Sequence, residues 1–131
     1  MDYRISVGGE SVRLAYNLYA MEYLCDEYGD LEKMTEAWRT SGKNIRASLC
    51  ILTAMARGAQ VADDKEPTYT HDYFAAKLPN QVVAELPRYL MEIMAAYNKT
   101  EYEITRKKKE GGRVDLVLEK IKAEKKEEAE A

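Results

Sequence analysis

"LAYNLYAMEYLCDEYGDLEKM", residues 14–34, decides how the rest of the chain is read. Asn17 offers a side-chain oxygen to cap a helix start. Leu18, Met21, Leu24, Cys25 and Tyr28 then recur at helical spacing and predict one buried face. Gly29 suits the left-handed position after a helix, where a side chain would clash. Asp30 can cap a second helix at once, with Leu31, Met34, Ala37 and Trp38 as its apolar stripe and Thr40-Ser41-Gly42 as its end. Two helices meeting at one glycine predict a compact helical corner.

Upstream, "YRISV" at 3–7 alternates and runs into Gly8-Gly9, a favourable pair for a tight turn, and "ESVRLAY" at 10–16 returns. This predicts a β-hairpin, which needs helices to lie on. Downstream, a third helix from about Asn44 is expected to bury Ile45, Leu49, Leu52, Met55 and Ala56 and to stop at Gly58. Residues 59–70 are polar, contain Pro67 and read as a loop. "HDYFAAKL" reads as a short helix capped by Thr70. A last helix is expected from about Asn80 to Tyr97, with Val83, Leu86, Leu90, Ile93, Met94 and Tyr97 inward. Pro87 lies inside it, so the helix either kinks or restarts there.

The character then changes. Residues 1–98 carry 10 Lys and Arg against 14 Asp and Glu, whereas residues 99–131 carry 10 against 9 within only 33 positions. The expected fold class is therefore mainly α. It comprises a small helical domain with an N-terminal β-hairpin over 1–98 and a charged, flexible C-terminal tail over 99–131. The tail reads as a tether for a short apolar docking segment, "VDLVLEKI" at 114–121. As a helix this segment would align Val114, Val117, Leu118 and Ile121; as a strand it would align Val114, Leu116 and Leu118. Neither form is stable alone, so the cluster is expected to dock on a partner.

Recognisable chemistry is absent from the pattern. His71-Asp72 are adjacent on a helix and point about 100° apart, a poor acid–base pair and a good helix start. Cys25 and Cys50 have neither zinc nor redox spacing and read as buried thiols of a reducing compartment. Gly8-Gly9 and Gly111-Gly112 lack a following phosphate-loop lysine. Acidic groups such as Asp63-Asp64 lack a calcium-loop pattern. The chain is thus expected not to be an enzyme, with no catalytic, cofactor-binding or metal-ligating residues. No apolar run reaches membrane-span length, and Met1-Asp2-Tyr3-Arg4 does not begin a signal peptide, so a cytoplasmic protein without a membrane partner is expected. Ten tyrosines stand against one phenylalanine. Tyr19 and Tyr23, four apart beside the first helix's apolar stripe, either border the core or form an aromatic contact surface.

"VRLAYNLYAMEYLCDEYGDLEKMTEAW" resembles the opening of the tail assembly chaperones of long-tailed bacteriophages and prophages of Gram-positive bacteria. The shared pattern is an apolar strand, an Asn-led helix with an acidic middle, an aromatic-Gly pair and a Leu-led helix. Here these places are Leu14, Asn17, Glu22, Tyr28-Gly29 and Leu31. "NIRASLCILTAMARGAQ" resembles the family's third helix, and "VDLVLEKI" a short element after a variable linker. The resemblance covers roughly residues 12–58 and 113–121. It implies a non-catalytic protein of the bacterial host's cytoplasm that binds the tape measure protein and recruits tail tube subunits. Self-association or pairing with a frameshifted longer form is also implied, with Lys125-Lys126 as the candidate slippery site. The partner-binding residues expected are Val114, Leu118 and Ile121 of the tail on this basis, and Tyr19 and Tyr23 of the first helix as an aromatic contact surface.

The alternative is a small helical regulatory or nucleic-acid-binding protein using Lys43, Arg46 and Arg57 of the third helix. Asp30, Glu32 and Glu36 argue against a uniformly positive surface, and an acidic globule is a poor match for a phosphate backbone. The basic run Arg106-Lys107-Lys108-Lys109 is interrupted by too much acid to change that expectation.

Overall fold

The computed structural model describes residues 2–40, 44–99 and 102–120, excepting the side chain of Tyr102. The chain divides into two units, Met1–Tyr97 and Asn98–Ala131. The first is built of strands β1 (Tyr3–Val7) and β2 (Glu10–Leu14) and helices α1 (Leu18–Tyr28), α2 (Leu31–Arg39), α3 (Asn44–Ala62), α4 (His71–Lys77) and α5 (Val82–Tyr97).

The helix corner forms as its sequence dictates. Asn17 Oδ1 accepts the Ala20 N–H at 3.1 Å and starts α1. Gly29, at φ 93°, ends it and donates its N–H to the Cys25 carbonyl. Asp30 Oδ1 accepts the Lys33 N–H at 2.7 Å and starts α2. Thr70 Oγ1 caps α4 through the Tyr73 N–H. Removing an exposed cap leaves a terminal donor to water, so Asp30→Ala is expected to cost about 1 kcal/mol by urea unfolding. An unchanged midpoint would mean that α2 is held by packing alone.

β1 and β2 pair antiparallel with Val7 opposite Glu10, across a turn whose Gly8 and Gly9 both have positive φ. That is the geometry two-residue hairpins prefer, and glycine supplies it without steric cost. Val7, Val12 and Leu14 point into the core, which they share with Leu24, Met34, Ile51, Met55, Phe74, Leu90 and Ile93. Polar ties fasten the hairpin to the helices. Arg13 donates two hydrogen bonds to Asp63, at 2.8 and 2.7 Å, and holds that carboxyl below its usual range. Glu10 accepts the hydroxyls of Tyr69 and Tyr73 at 2.9 and 3.0 Å. The Tyr89 hydroxyl donates to the Arg4 carbonyl at 2.7 Å and accepts the Arg4 N–H. Three of the ten tyrosines thus latch a sheet too small to stand alone.

Several expectations are corrected. α3 does not stop at Gly58 but continues to Ala62, so the first four residues of the expected 59–70 loop are helical. Gly58 is needed for room instead: a Cβ there would lie 2.6 Å from Asn17 Oδ1 and 3.0 Å from the Ala15 carbonyl. Leu18, expected on the buried face, is 80% exposed because that face of α1 turns about Ala20 and Leu24. Ile45 and Val83, also expected inside, are exposed. Of the two readings offered at Pro87, α5 follows the single helix, running from Val82, two residues after the expected start, to Tyr97.

The largest correction concerns the tail. The segment read as a flexible tether contains β3 (Tyr102–Lys108), which pairs antiparallel with β4 (Val114–Lys120). Gly111 and Gly112, both with positive φ, lie in the turn between them, closed by a 2.7 Å bond from the Lys109 N–H to the Arg113 carbonyl. High charge density hid a strand pattern in which β-branched Ile104, Thr105, Val114 and Val117 favour extended backbone. The mainly α expectation therefore holds for the first unit and fails over residues 102–120.

Candidate functional site

Three elements meet around an apolar hollow of about 310 Å3. α3 contributes Ile45 and Leu49, the end of α4 contributes Phe74 and Leu78, and the first turns of α5 contribute Val83 and Leu86. Leu78 caps α4 in extended backbone, and the Pro79-Asn80 break lets α5 turn away and leave the space between. Phe74 and Leu86 form its buried floor, while Ile45 and Val83, 55% and 44% exposed, stand at its rim. No lining residue is charged. Its one buried hydroxyl, Ser48 Oγ, already accepts the Trp38 indole N–H at 2.8 Å.

A second hollow of about 260 Å3 is lined by Thr35, Trp38 and Arg39 of α2, Asn44 of α3 and Pro87 and Met91 of α5; Asn44 and Pro87 are the sequence neighbours of Ile45 and Leu86 in the first. Val83, Pro87 and Met91 are four residues apart and so lie along one face of α5. Met91 is 54% exposed. The result is an open apolar track about 12 Å long, at 1.5 Å per helical residue. It has room for apolar side chains and little polar chemistry to orient a small molecule, which usually requires several convergent polar groups.

The sequence-predicted contact residues fall elsewhere. Tyr19 is half-buried on α1. Tyr23 packs against the core, with the Arg57 guanidinium 5.4 Å above its ring centre. Val114 and Leu118 share one face of the second hairpin, with Leu116 between them, while Ile121 lies outside the described residues. Of the residues expected to serve a nucleic-acid surface, Arg46 is exposed. Arg57 is committed to the Tyr69 carbonyl at 2.9 Å and to the Tyr23 ring, and Lys43 lies outside the described residues. The His71-Asp72 pair is a 3.5 Å contact with a fully solvated carboxylate. Cys50 is buried and its thiol is pushed up by that burial. Among the described residues no helix is long and apolar enough to cross a membrane.

Sequence reasoning missed the track because its rim residues satisfy the helical apolar period and were assigned to the core. The available signal was the Leu78-Pro79-Asn80 break, which forces two helices to diverge over α3. Comparison of the chain with protein-family models, curated proteins and solved structures returns no match.

Proposed function

We propose that this protein is a non-catalytic tail assembly chaperone, binding a phage tape measure protein and recruiting tail tube subunits during tail morphogenesis. The observation that carries the reading is the apolar track along α5, bordered by α3 and α4 at one hollow and by α2 and α3 at the other. Exposed apolar surface rimmed by polar residues marks a place for another chain. A tape measure segment in helical form would place apolar side chains in both hollows, since residues seven or eight apart on a helix are about 10–12 Å apart. The resemblance over residues 12–58 and 113–121 supplies the identity of that segment, and the uncharged lining of the first hollow fits an aggregation-prone apolar client. Val114 and Leu118 offer a second surface for the tube subunit or a neighbouring chaperone. Two modest contacts on one chain raise effective concentration while leaving each reversible.

The test is co-expression with the products of the genes just downstream, followed by pull-down and sizing. The wild-type chain is expected to keep the tape measure protein soluble. Val83→Asp with Met91→Asp is expected to lower the captured amount by about ten-fold, equivalent to about 1.4 kcal/mol. Both positions are exposed, so folding stability should stay within about 0.5 kcal/mol of wild type. Capture of neither protein, with nucleic acid co-purifying instead, would overturn the proposal in favour of the regulator.

A further inference from the structure

The second hairpin sorts its charges by face. Directly opposed residues of an antiparallel pair share a side, and successive residues alternate. One face therefore holds the pairs Ile104–Leu118, Arg106–Leu116 and Lys108–Val114, with Lys120 at its end. It carries three cations and no acid. The other face holds Glu103–Glu119, Thr105–Val117 and Lys107–Asp115. It carries three acids and one cation, and that cation is paired, Lys107 to Glu119 at 3.4 Å. Among the described residues Arg106, Lys108 and Lys120 make no ion pair. Ile104, Val114, Leu116 and Leu118 are between 52% and 62% exposed.

The arrangement has direction. Val114, Leu116 and Leu118 form an apolar column along β4 about 13 Å long, at about 3.3 Å per residue. Lys108 and Arg106 form a basic column beside it on β3, about 4.8 Å away. A two-stranded hairpin is at best marginally stable in water, so such a face gains from being covered. A second copy of the same face would set cation against cation. The complementary occupant has an apolar stripe flanked on one side by acids.

We propose that the apolar–basic face of the β3–β4 hairpin binds an acidic amphipathic helix of a partner protein. About nine helical residues span the column. The partner's apolar stripe covers Val114, Leu116 and Leu118, and its flanking carboxylates meet Arg106 and Lys108. This rests on the reading of the hairpin as the chaperone's second contact, and it specifies that partner's chemistry.

The test uses the full chain carrying Val83→Asp and Met91→Asp, so that the α3–α5 track cannot take up the probe. The probe is a synthetic helical peptide with leucines at i, i+3, i+4 and i+7 and glutamates along one flank. Its control has lysines in place of the glutamates. Two exposed ion pairs gained should make the glutamate peptide bind about ten-fold tighter. That preference should shrink as salt is raised. Arg106→Glu with Lys108→Glu leaves the apolar column in place and should reverse the preference. Leu116→Asp should weaken binding of the glutamate peptide by about ten-fold. Equal binding of the two peptides, a preference unmoved by the charge reversal, or no peptide binding would overturn the proposal. So would binding only to vesicles of equal parts phosphatidylserine and phosphatidylcholine, which would make the face a lipid surface. Tape measure capture by the chain with a native α3–α5 track is read separately, so failure here leaves that reading standing.

Discussion

Gly58→Ala is expected to destabilise the first unit by about 2–3 kcal/mol, although alanine is the better helix former by about 1 kcal/mol. The added Cβ would lie 2.6 Å from Asn17 Oδ1 and 3.0 Å from the Ala15 carbonyl. Neither neighbour can give way cheaply. Asn17 holds two bonds, accepting from the Ala20 N–H at 3.1 Å and donating to the Gly58 carbonyl at 3.0 Å. Ala15 is fixed by its own N–H, which donates to the Met55 carbonyl at 3.0 Å. Displacing Asn17 forfeits a helix cap, worth about 0.5–2 kcal/mol. Overpacking against backbone adds about 1–3 kcal/mol. Thermal unfolding followed by circular dichroism should show the midpoint falling by about 10–20 °C. Asn17→Gly keeps a tolerable cap and clears the amide, so Gly58→Ala should cost at least about 1 kcal/mol less in that background. A raised midpoint for Gly58→Ala alone would show that the strand-to-helix crossing does not press on α3.

That glycine shows where sequence reading reaches its limit. Caps are local, and Asn17, Gly29, Asp30 and Thr70 were legible because each acts on a backbone group within four residues. Gly8-Gly9 was legible for the same reason, since a positive φ at both turn residues is a property of the turn itself. Gly58 was read by the same local rule and gave the wrong helix end. Its reason lies 41 residues away, at Asn17. Nothing in the residues around Gly58 records that approach.

The candidate contact surfaces divide along the same line. Ile45 and Val83 obey the apolar period of their helices, and periodicity does not say whether a neighbour arrives to cover them. They are exposed because α4 ends at Lys77 and α5 begins only at Val82, leaving the start of α3 partly uncovered. In the tail, Val114 and Leu118 were found as an apolar cluster before their backbone form could be decided. Arg106 and Leu116 acquire meaning only through the register, which makes them opposite partners on one face. A sequence carries the alternation, but pairing determines which cation stands beside which leucine.

The alkaline limb of stability should be unusually steep, because six tyrosines have hydroxyls whose ionisation the fold opposes. Burial, followed by a hydrogen bond with Cys50, pushes Tyr28 up to about 12. Burial, followed by the Glu10 carboxylate, pushes Tyr69 up to about 12. Glu10 also raises Tyr73, and burial raises Tyr16, Tyr23 and Tyr89. An unfolded tyrosine ionises near 10. The native state therefore holds more protons than the unfolded state above that pH, and stability must fall as pH rises. The contribution is whole below about pH 10 and is lost as pH climbs through about 12. Cys50, also raised by burial, acts with the same sign from slightly lower pH. Tyr28 and Tyr69 together should account for roughly 2–3 kcal/mol after allowance for solvent screening. Urea unfolding by circular dichroism should show a flat midpoint up to about pH 8, a shallow fall from Cys50 toward about pH 9.5 and a steep fall above it. Glu10→Gln removes the charge facing Tyr69 and Tyr73, so the variant should be weaker at pH 8 yet lose less between pH 10 and 12. Parallel curves for the two proteins would mean that Glu10 does not hold the tyrosine hydroxyls, leaving core packing, the Arg13–Asp63 pair and the Tyr89–Arg4 bonds to seat the N-terminal hairpin on its helices.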